Sequence, residues 1–354
     1  MSKFLVDKYK GLEPYTPGEQ PKDRKFLKLN TNESPFPPSP KAIALAQEEA
    51  GRLMLYSDPE CSVLTQKMAE SLGVGKENII LTNGSDEVLN FAFMAYCSES
   101  CPAIFPDITY GFYKVFAAVN ALPCVEIPLL DDFSMPLDKL REAKGTLFIA
   151  NPNAPTGILL SLDEIEGLVK ADPKRIVVVD EAYIDFGGES AISLVGKYEN
   201  LLVTGTFSKS RSMAGGRLGF GVASPSIISD LHRIRYSTNP YNVNRMTAAA
   251  GVGALEDKAY FEDNCKKIIE ARDYTQKELT SLGFTMTCSK ANFLFVRHDK
   301  ISGEALYTAL RERGVLVRHF SSERIKEYNR ITIGSMDEMQ TLIQVIKEIL
   351  EETL

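Results

Sequence analysis

The residues best placed to do chemistry fall in Thr206-Phe207-Ser208-Lys209-Ser210-Arg211-Ser212-Met213-Ala214-Gly215-Gly216-Arg217-Leu218-Gly219. A lysine stands between two serines just after an apolar run, and an arginine follows eight positions on. An ammonium at such a place is unfavourable when desolvated, unless it is paired or neutralised. Forming an imine with an aldehyde removes the charge and makes Lys209 a covalent nucleophile. Thr206, Ser208 and Arg217 suit a phosphate on the same small molecule, the arginine through charge-assisted, two-pronged hydrogen bonds. Taken alone, the segment also reads as an ordinary loop with a solvated lysine and a surface arginine.

Two further clusters add chemistry of the same kind. In Val179-Asp180-Glu181-Ala182-Tyr183, Asp180 closes an apolar strand, where a carboxylate needs a cation or several donors to stay charged. A protonated pyridine nitrogen is such a cation, and the Tyr183 phenol is within reach of an oxygen on the same ring. The plainer alternative is an aspartate that caps the next turn. In Leu81-Thr82-Asn83-Gly84-Ser85-Asp86-Glu87-Val88, a glycine and a serine open an amphipathic helix after a strand. Free N–H groups and the helix dipole make an anion site there. Asp86 and Glu87 can equally satisfy that dipole themselves.

These clusters need a scaffold, and the chain spells one out. Its 354 residues, 44% hydrophobic, favour two domains at roughly 100–200 residues each. Pro14, Pro17, Gly18 and Pro21 make residues 1–32 an arm, packed with the smaller domain or a partner subunit. Residues 33–245 alternate helix and strand: helices at Lys41–Leu55, Val63–Leu72 and Ser85–Tyr96, strands at Ile79–Thr82, Thr146–Ala150, Arg175–Asp180 and Leu201–Thr204. Such alternation predicts an α/β fold with a mostly parallel central sheet in a large domain. Ile176-Val177-Val178-Val179 runs on without polar interruption, as a strand buried on both faces does. Residues 246–354 read as a smaller α+β domain, with a helix at Tyr260–Leu282, strands at Phe293–Arg297, Gly314–Val317 and Arg330–Ile333, and a closing helix from Met336.

Composition excludes several classes. A formal charge of -7 with both signs scattered leaves no basic stripe, so nucleic acid is not an expected partner. The six cysteines are mostly far apart and His232, His298 and His319 are remote from them, which suits neither a disulfide framework nor a metal site. The apolar run near the N-terminus is too short for a signal peptide, and no later run is long enough to cross a membrane. The cytoplasm is the expected compartment.

Taken in order, Asn151-Pro152-Asn153-Ala154-Pro155-Thr156-Gly157, the Asp180 to Tyr183 cluster, and Ser208-Lys209 with Arg217 resemble the fold-type-I aminotransferases of class I/II. Leu12-Glu13-Pro14-Tyr15-Thr16-Pro17-Gly18, Leu29-Asn30-Thr31-Asn32-Glu33-Ser34-Pro35, Tyr56-Ser57-Asp58-Pro59 and Arg330-Ile331-Thr332-Ile333-Gly334 narrow the resemblance to the histidinol-phosphate aminotransferase family. The resemblance spans essentially the whole chain. It implies pyridoxal 5′-phosphate as cofactor, with Lys209 as the Schiff-base lysine and proton shuttle. It implies Asp180 at the pyridine nitrogen, Tyr183 at the ring oxygen O3′, and Tyr110 stacked on the ring. Gly84, Ser85, Asp86, Thr206, Ser208 and Arg217 match the phosphate cup, and Tyr56 matches a residue that reaches the neighbouring subunit's cofactor, so a homodimer with shared sites is implied. Tyr15, Asn32, Arg318 and Arg330 match substrate-holding positions. The implied substrates are a small-molecule amino donor, L-histidinol phosphate, and the oxo acid 2-oxoglutarate.

One position departs from the family pattern. Ala154 stands where most relatives carry an asparagine whose amide reaches O3′, so either Asn153 shifts in or Tyr183 serves alone. The fold is shared by aminotransferases of aromatic and other amino acids and by threonine-phosphate decarboxylase, and both remain open on the sequence.

Overall fold

The structure, a computed structural model, describes residues 2–22 and 24–353. A seven-stranded sheet crosses its larger half in the order Ile79–Asn83, Leu218–Ala223, Leu201–Thr206, Val177–Asp180, Thr146–Ala150, Ala103–Pro106, Cys124–Ile127. Every strand runs in one direction except Leu218–Ala223, which is antiparallel to both its neighbours. Val177 and Val179 pack into one apolar cluster and Val178 into another, so the strand is buried on both faces as its unbroken run predicts.

The direction of the strands gathers the chemistry at one edge. Asn83, Thr206, Asp180 and Ala150 all end strands there, and the lone antiparallel strand begins there, with Leu218 opposite Asn83. Ligands of open α/β sheets sit at this carboxyl edge.

Helix Pro40–Ala50 starts on a Ser39 cap, whose hydroxyl accepts from the Ala42 N–H at 3.2 Å. The periodicity predicts it to Leu55, but it stops at Gly51, where continuing would cost roughly 1 kcal/mol relative to alanine. Turns then leave Leu53, Met54, Leu55 and Tyr56 exposed. This helix packs against Arg245–Glu256, and only a glycine fits at 253, since a Cβ there would come within 2.6 Å of the Lys41 and Ala42 backbone. The strand predicted from Arg175 begins at Val177 because the Arg175 side chain is turned inward, donating to the carbonyls of Leu140, Ala143 and Leu168.

The C-terminal part holds a four-stranded antiparallel sheet ordered Arg318–His319, Asn329–Thr332, Phe293–His298, Phe284–Met286. Helices Lys258–Ser281, Gly303–Glu312 and Met336–Thr353 bury Ile268, Leu279, Leu306, Leu310, Leu342 and Ile346 against it. Leu27–Lys28 pairs in parallel with Val315–Leu316, tying the proline-rich arm to this part and delivering Asn30 to Glu33 toward the sheet edge. No helix among the described residues is long and apolar enough to cross a membrane.

Candidate active site

A cleft of about 430 Å³ opens at the carboxyl edge of the large sheet. Thr206, Ser208, Lys209, Asp180, Tyr183, Ser85, Asp86, Tyr110 and Arg217 line it, joined from the other side by Tyr15, Asn32, Arg318 and Arg330. The sequence thus names most of its walls. A second cleft of about 580 Å³ lies beyond Thr206, lined by Glu181, Asp185 and Arg211, and none of the expected substrate residues faces it.

At its floor, Lys209 donates to the Thr31 carbonyl at 3.2 Å and lies 5.8 Å over the Tyr183 ring. Burial, and then the charges of Arg330 and Arg217, pull its pKa from 10.5 to about 8, against the opposing pull of Glu33 and Asp86. The neutral amine is the nucleophile, so the cofactor-free protein should capture pyridoxal phosphate faster as pH rises through about 8 and level off above it. A lysine at its ordinary value would keep gaining to about 10.5, which stopped-flow absorbance across that range distinguishes.

Asp180 is buried with two side-chain donors, Tyr113 Oη at 3.3 Å on Oδ2 and Thr204 Oγ1 at 3.3 Å on Oδ1, and the Ala182 backbone N–H. Desolvation, seconded by Asp86, pushes its pKa up to about 6 despite those bonds. A buried carboxylate raised in this way wants a cation. Neither Tyr113 nor Thr204 is prominent in the sequence, where the first reads as core aromatic and the second as a strand residue. The pairing of Asp180 with Thr204 across adjacent strands is what brings the hydroxyl to the carboxylate.

The anion cup is built from backbone as much as side chains. Helix Ser85–Tyr96 starts after Gly84, at φ 75°, with no side-chain cap, leaving its first N–H groups for a ligand. A Cβ on Gly84 would collide with the Arg217 guanidinium, and one on Gly219 with the Ser85 N–H, so both glycines keep this approach open. Thr206 Oγ1 donates to Ser208 Oγ at 2.9 Å, and the Ser208 N–H returns to Thr206 Oγ1 at 3.1 Å. Asp86 plays a different part: its carboxylate accepts from Arg217 Nη2 at 2.9 Å and from Tyr110 Oη at 2.6 Å. Its side chain therefore aims Arg217 and Tyr110, while its backbone N–H lies in the uncapped first turn of the helix.

Four expected positions have distinct settings. The Asn153 amide is spent inside its loop, donating to Ile108 O and Thr156 Oγ1 at 3.0 Å each and accepting from Thr109 Oγ1 at 2.8 Å. The cleft wall there is Ala154, so this geometry corrects the expectation that Asn153 reaches in. Tyr56 does not line the cleft; its ring, 79% exposed, stacks on Tyr241 at 4.6 Å. Tyr15 lines the cleft and packs against Phe112, with ring centroids 4.3 Å apart and the planes tilted by 31°. Asn32, buried at the cleft wall, donates from Nδ2 to the Tyr183 hydroxyl at 2.9 Å.

On the opposite wall Arg318 and Arg330 are direct cross-strand partners. Arg318 Nη2 reaches Thr16 O at 3.4 Å and Arg330 Nη2 donates to Asn30 O at 3.0 Å, while the Arg330 Nε is buried without a partner. Like charges directly opposite one another are destabilising unless an anion lies between them. The side chains together fit pyridoxal phosphate: a buried lysine for the aldehyde, a raised carboxylate for the ring nitrogen, an uncapped helix with Arg217 for the phosphate.

Comparison with known proteins gives the same answer from another direction. The family model for aminotransferase class I and II matches residues 24–346. A relative named histidinol-phosphate aminotransferase, from Brachyspira hyodysenteriae, is 47% identical over 99% of this chain and 100% of its own length. The structure of a histidinol-phosphate aminotransferase from Sinorhizobium meliloti, in complex with pyridoxal-5′-phosphate, superposes with a TM-score of 0.89 over 99% of each chain at 24% identity. That of an L-threonine-O-3-phosphate decarboxylase from Porphyromonas gingivalis reaches 0.78 over 92% of this chain and 99% of its own at 22% identity, so the fold by itself does not choose the reaction. With that model covering nearly all of its length, and a near-half-identical relative matching it end to end, the chain belongs to the class I and II aminotransferase family, alongside the histidinol-phosphate aminotransferases.

Proposed function

We propose that the protein moves an amino group between L-histidinol phosphate and 2-oxoglutarate, yielding imidazole-acetol phosphate and glutamate, with pyridoxal phosphate held at Lys209. The observation that carries this reading is the pair Arg318 and Arg330, opposed across two strands and facing the same cleft as Lys209. Histidinol phosphate has no carboxylate, so its orientation must come from the distal phosphate, and two planar guanidinium forks suit a dianion. The same forks suit the carboxylates of the oxo acid when it takes its turn.

Bound pyridoxal phosphate supplies an electron sink that accepts the bonding pair of the C–H broken at the amine-bearing carbon. Lys209 would serve as the base that takes the proton from that carbon and gives it back to the carbon that was the cofactor's aldehyde. Asp180, held by Tyr113 and Thr204, would keep the ring nitrogen protonated. Tyr183 would donate to the ring oxygen, Tyr110 would pack on the ring, and Ser85, Ser208 and Arg217 would hold the phosphate, which keeps the reacting atoms in one geometry. Assaying nitrogen transfer to 2-oxoglutarate from a panel of phosphorylated and free amines tests the assignment. Preference for unphosphorylated donors would overturn it.

The working unit on this reading is a homodimer. Leu53, Met54, Leu55 and Tyr56 form an exposed apolar turn, an arrangement that suits burial against a second copy and delivery of Tyr56 to that copy's phosphate cup. Mixing an inactive Lys209→Ala protomer with an inactive Tyr56 variant should then restore up to one working site per heterodimer. Heterodimers that form yet stay silent would place Tyr56 outside its neighbour's site.

A further inference from the structure

The Tyr183 hydroxyl has one proton, and the structure shows what decides where it points. Asn32 sits at φ 56°, a left-handed setting that asparagine tolerates, and is almost wholly buried. Its backbone N–H donates to Thr332 Oγ1 at 2.9 Å, and its carbonyl accepts from Asn292 Nδ2 at 3.1 Å. Because Thr332 Oγ1 already accepts that N–H, its own proton is free to go to Asn32 Oδ1, 3.1 Å away. With that bond made, the amide oxygen is turned to Thr332. The Nδ2 end is left facing Tyr183 Oη at 2.9 Å. An amide N–H is donor only, so the Tyr183 oxygen accepts there and its proton must turn elsewhere.

We infer that Asn32 and Thr332 form a positioning relay that sets the polarity of the Tyr183 hydroxyl, aiming its proton at the ring oxygen of the bound cofactor. The inference rests on the pyridoxal phosphate reading of the cleft and deepens it. Ala154 offers no donor and the Asn153 amide is committed to its loop, so the burden on Tyr183 is greater than where an asparagine shares it. The relay also links parts far apart in the chain. Thr332 lies on the strand Asn329–Thr332, two residues from Arg330, so the strand that presents a substrate-gripping arginine also orients the cofactor's donor. Four charged groups act on the phenol and its surroundings, namely Arg330, Asp180, Asp86 and Lys209, and none of them is a hydrogen-bond partner of Asn32.

The test is a visible-absorbance pH titration of the lysine–cofactor link in the reconstituted full-length enzyme. Asn32→Asp replaces the donor by an acceptor, which draws the phenol proton away from the cofactor. The midpoint should rise by about one pH unit, since an ionised ring oxygen loses a hydrogen bond. Tyr183→Phe should raise it similarly, and the double variant should match the larger single shift and not the sum. Thr332→Ser should retain the wild-type midpoint while Thr332→Val raises it, which keeps the inference testable if Asn32→Asp does not fold. A structural role alone predicts lowered thermal stability with an unmoved midpoint. That result, or additive shifts in the double variant, overturns the relay. Wild-type protein that gains no cofactor mass at Lys209 on borohydride reduction would sink the functional reading itself, whereas normal gain with an unmoved midpoint sinks this inference alone.

Discussion

Lys209→Ala should lower turnover by at least about 10⁴-fold, because the change removes both the covalent anchor and the base that moves the proton, and base catalysis alone supplies about 10²–10⁴. The effect is expected to be chemical, since the anion cup does not depend on the lysine. Thr206 and Ser208 bond each other, Arg217 bonds Asp86, and the Gly84 N–H just before the Ser85 helix donates to the Arg217 carbonyl at 3.0 Å. Pyridoxal phosphate should therefore still associate, but reversibly. Borohydride treatment followed by peptide mass analysis reads the difference directly: wild type carries the cofactor on the peptide containing Lys209 and the variant carries none. Wild-type turnover in the variant, or label on another lysine, would remove Lys209 from the mechanism.

The second large effect concerns substrate choice. Arg330→Ala should reduce kcat/KM for histidinol phosphate by a factor equivalent to about 2–5 kcal/mol, the range for truncating one partner of a buried charge pair. The guanidinium is enclosed, with desolvation the main influence lowering its pKa, and it rests 5.4 Å over Phe293. Loss of turnover with histidinol lacking the phosphate should be far smaller, because that amine never engages the arginine. Cofactor loading should be unchanged, since no residue of the anion cup contacts Arg330 by hydrogen bond. Equal losses on both amines would assign Arg330 to the fold. Release of CO2 from threonine phosphate without consumption of an oxo acid would replace the aminotransferase reading by the lyase one.

Much of this was legible in the chain because it is local. Ser85 to Tyr96 and Thr146 to Ala150 follow from periodicity and bounding residues and appear where expected. Lys209, Asp180 and Arg217 stand out because charged residues beside unbroken apolar runs need a chemical reason, and the motifs around them gave the family resemblance. Where local reading failed, a non-local contact or a backbone stop had intervened. The helix after Pro40 ended early at a glycine, and the strand before Asp180 started late because the Arg175 side chain found three buried carbonyls.

The amino-acid sequence by itself determined the kind of chemistry, the order of elements and most of the cleft's side chains, since residue type and short-range spacing carry that information. Tertiary structure decided what each polar group faces. Asn153 and Ala154 are neighbours in sequence, yet only the fold of their loop shows the amide turned inward and the methyl turned to the cleft. Tyr113 and Thr204 became partners of Asp180 through strand pairing and helix packing. Asn32 and Thr332, separated by 300 positions, met because the arm pairs with a distant strand. Hydrogen bonds are directional over about 3 Å, and only the closed fold sets distances that short between residues so far apart in the chain.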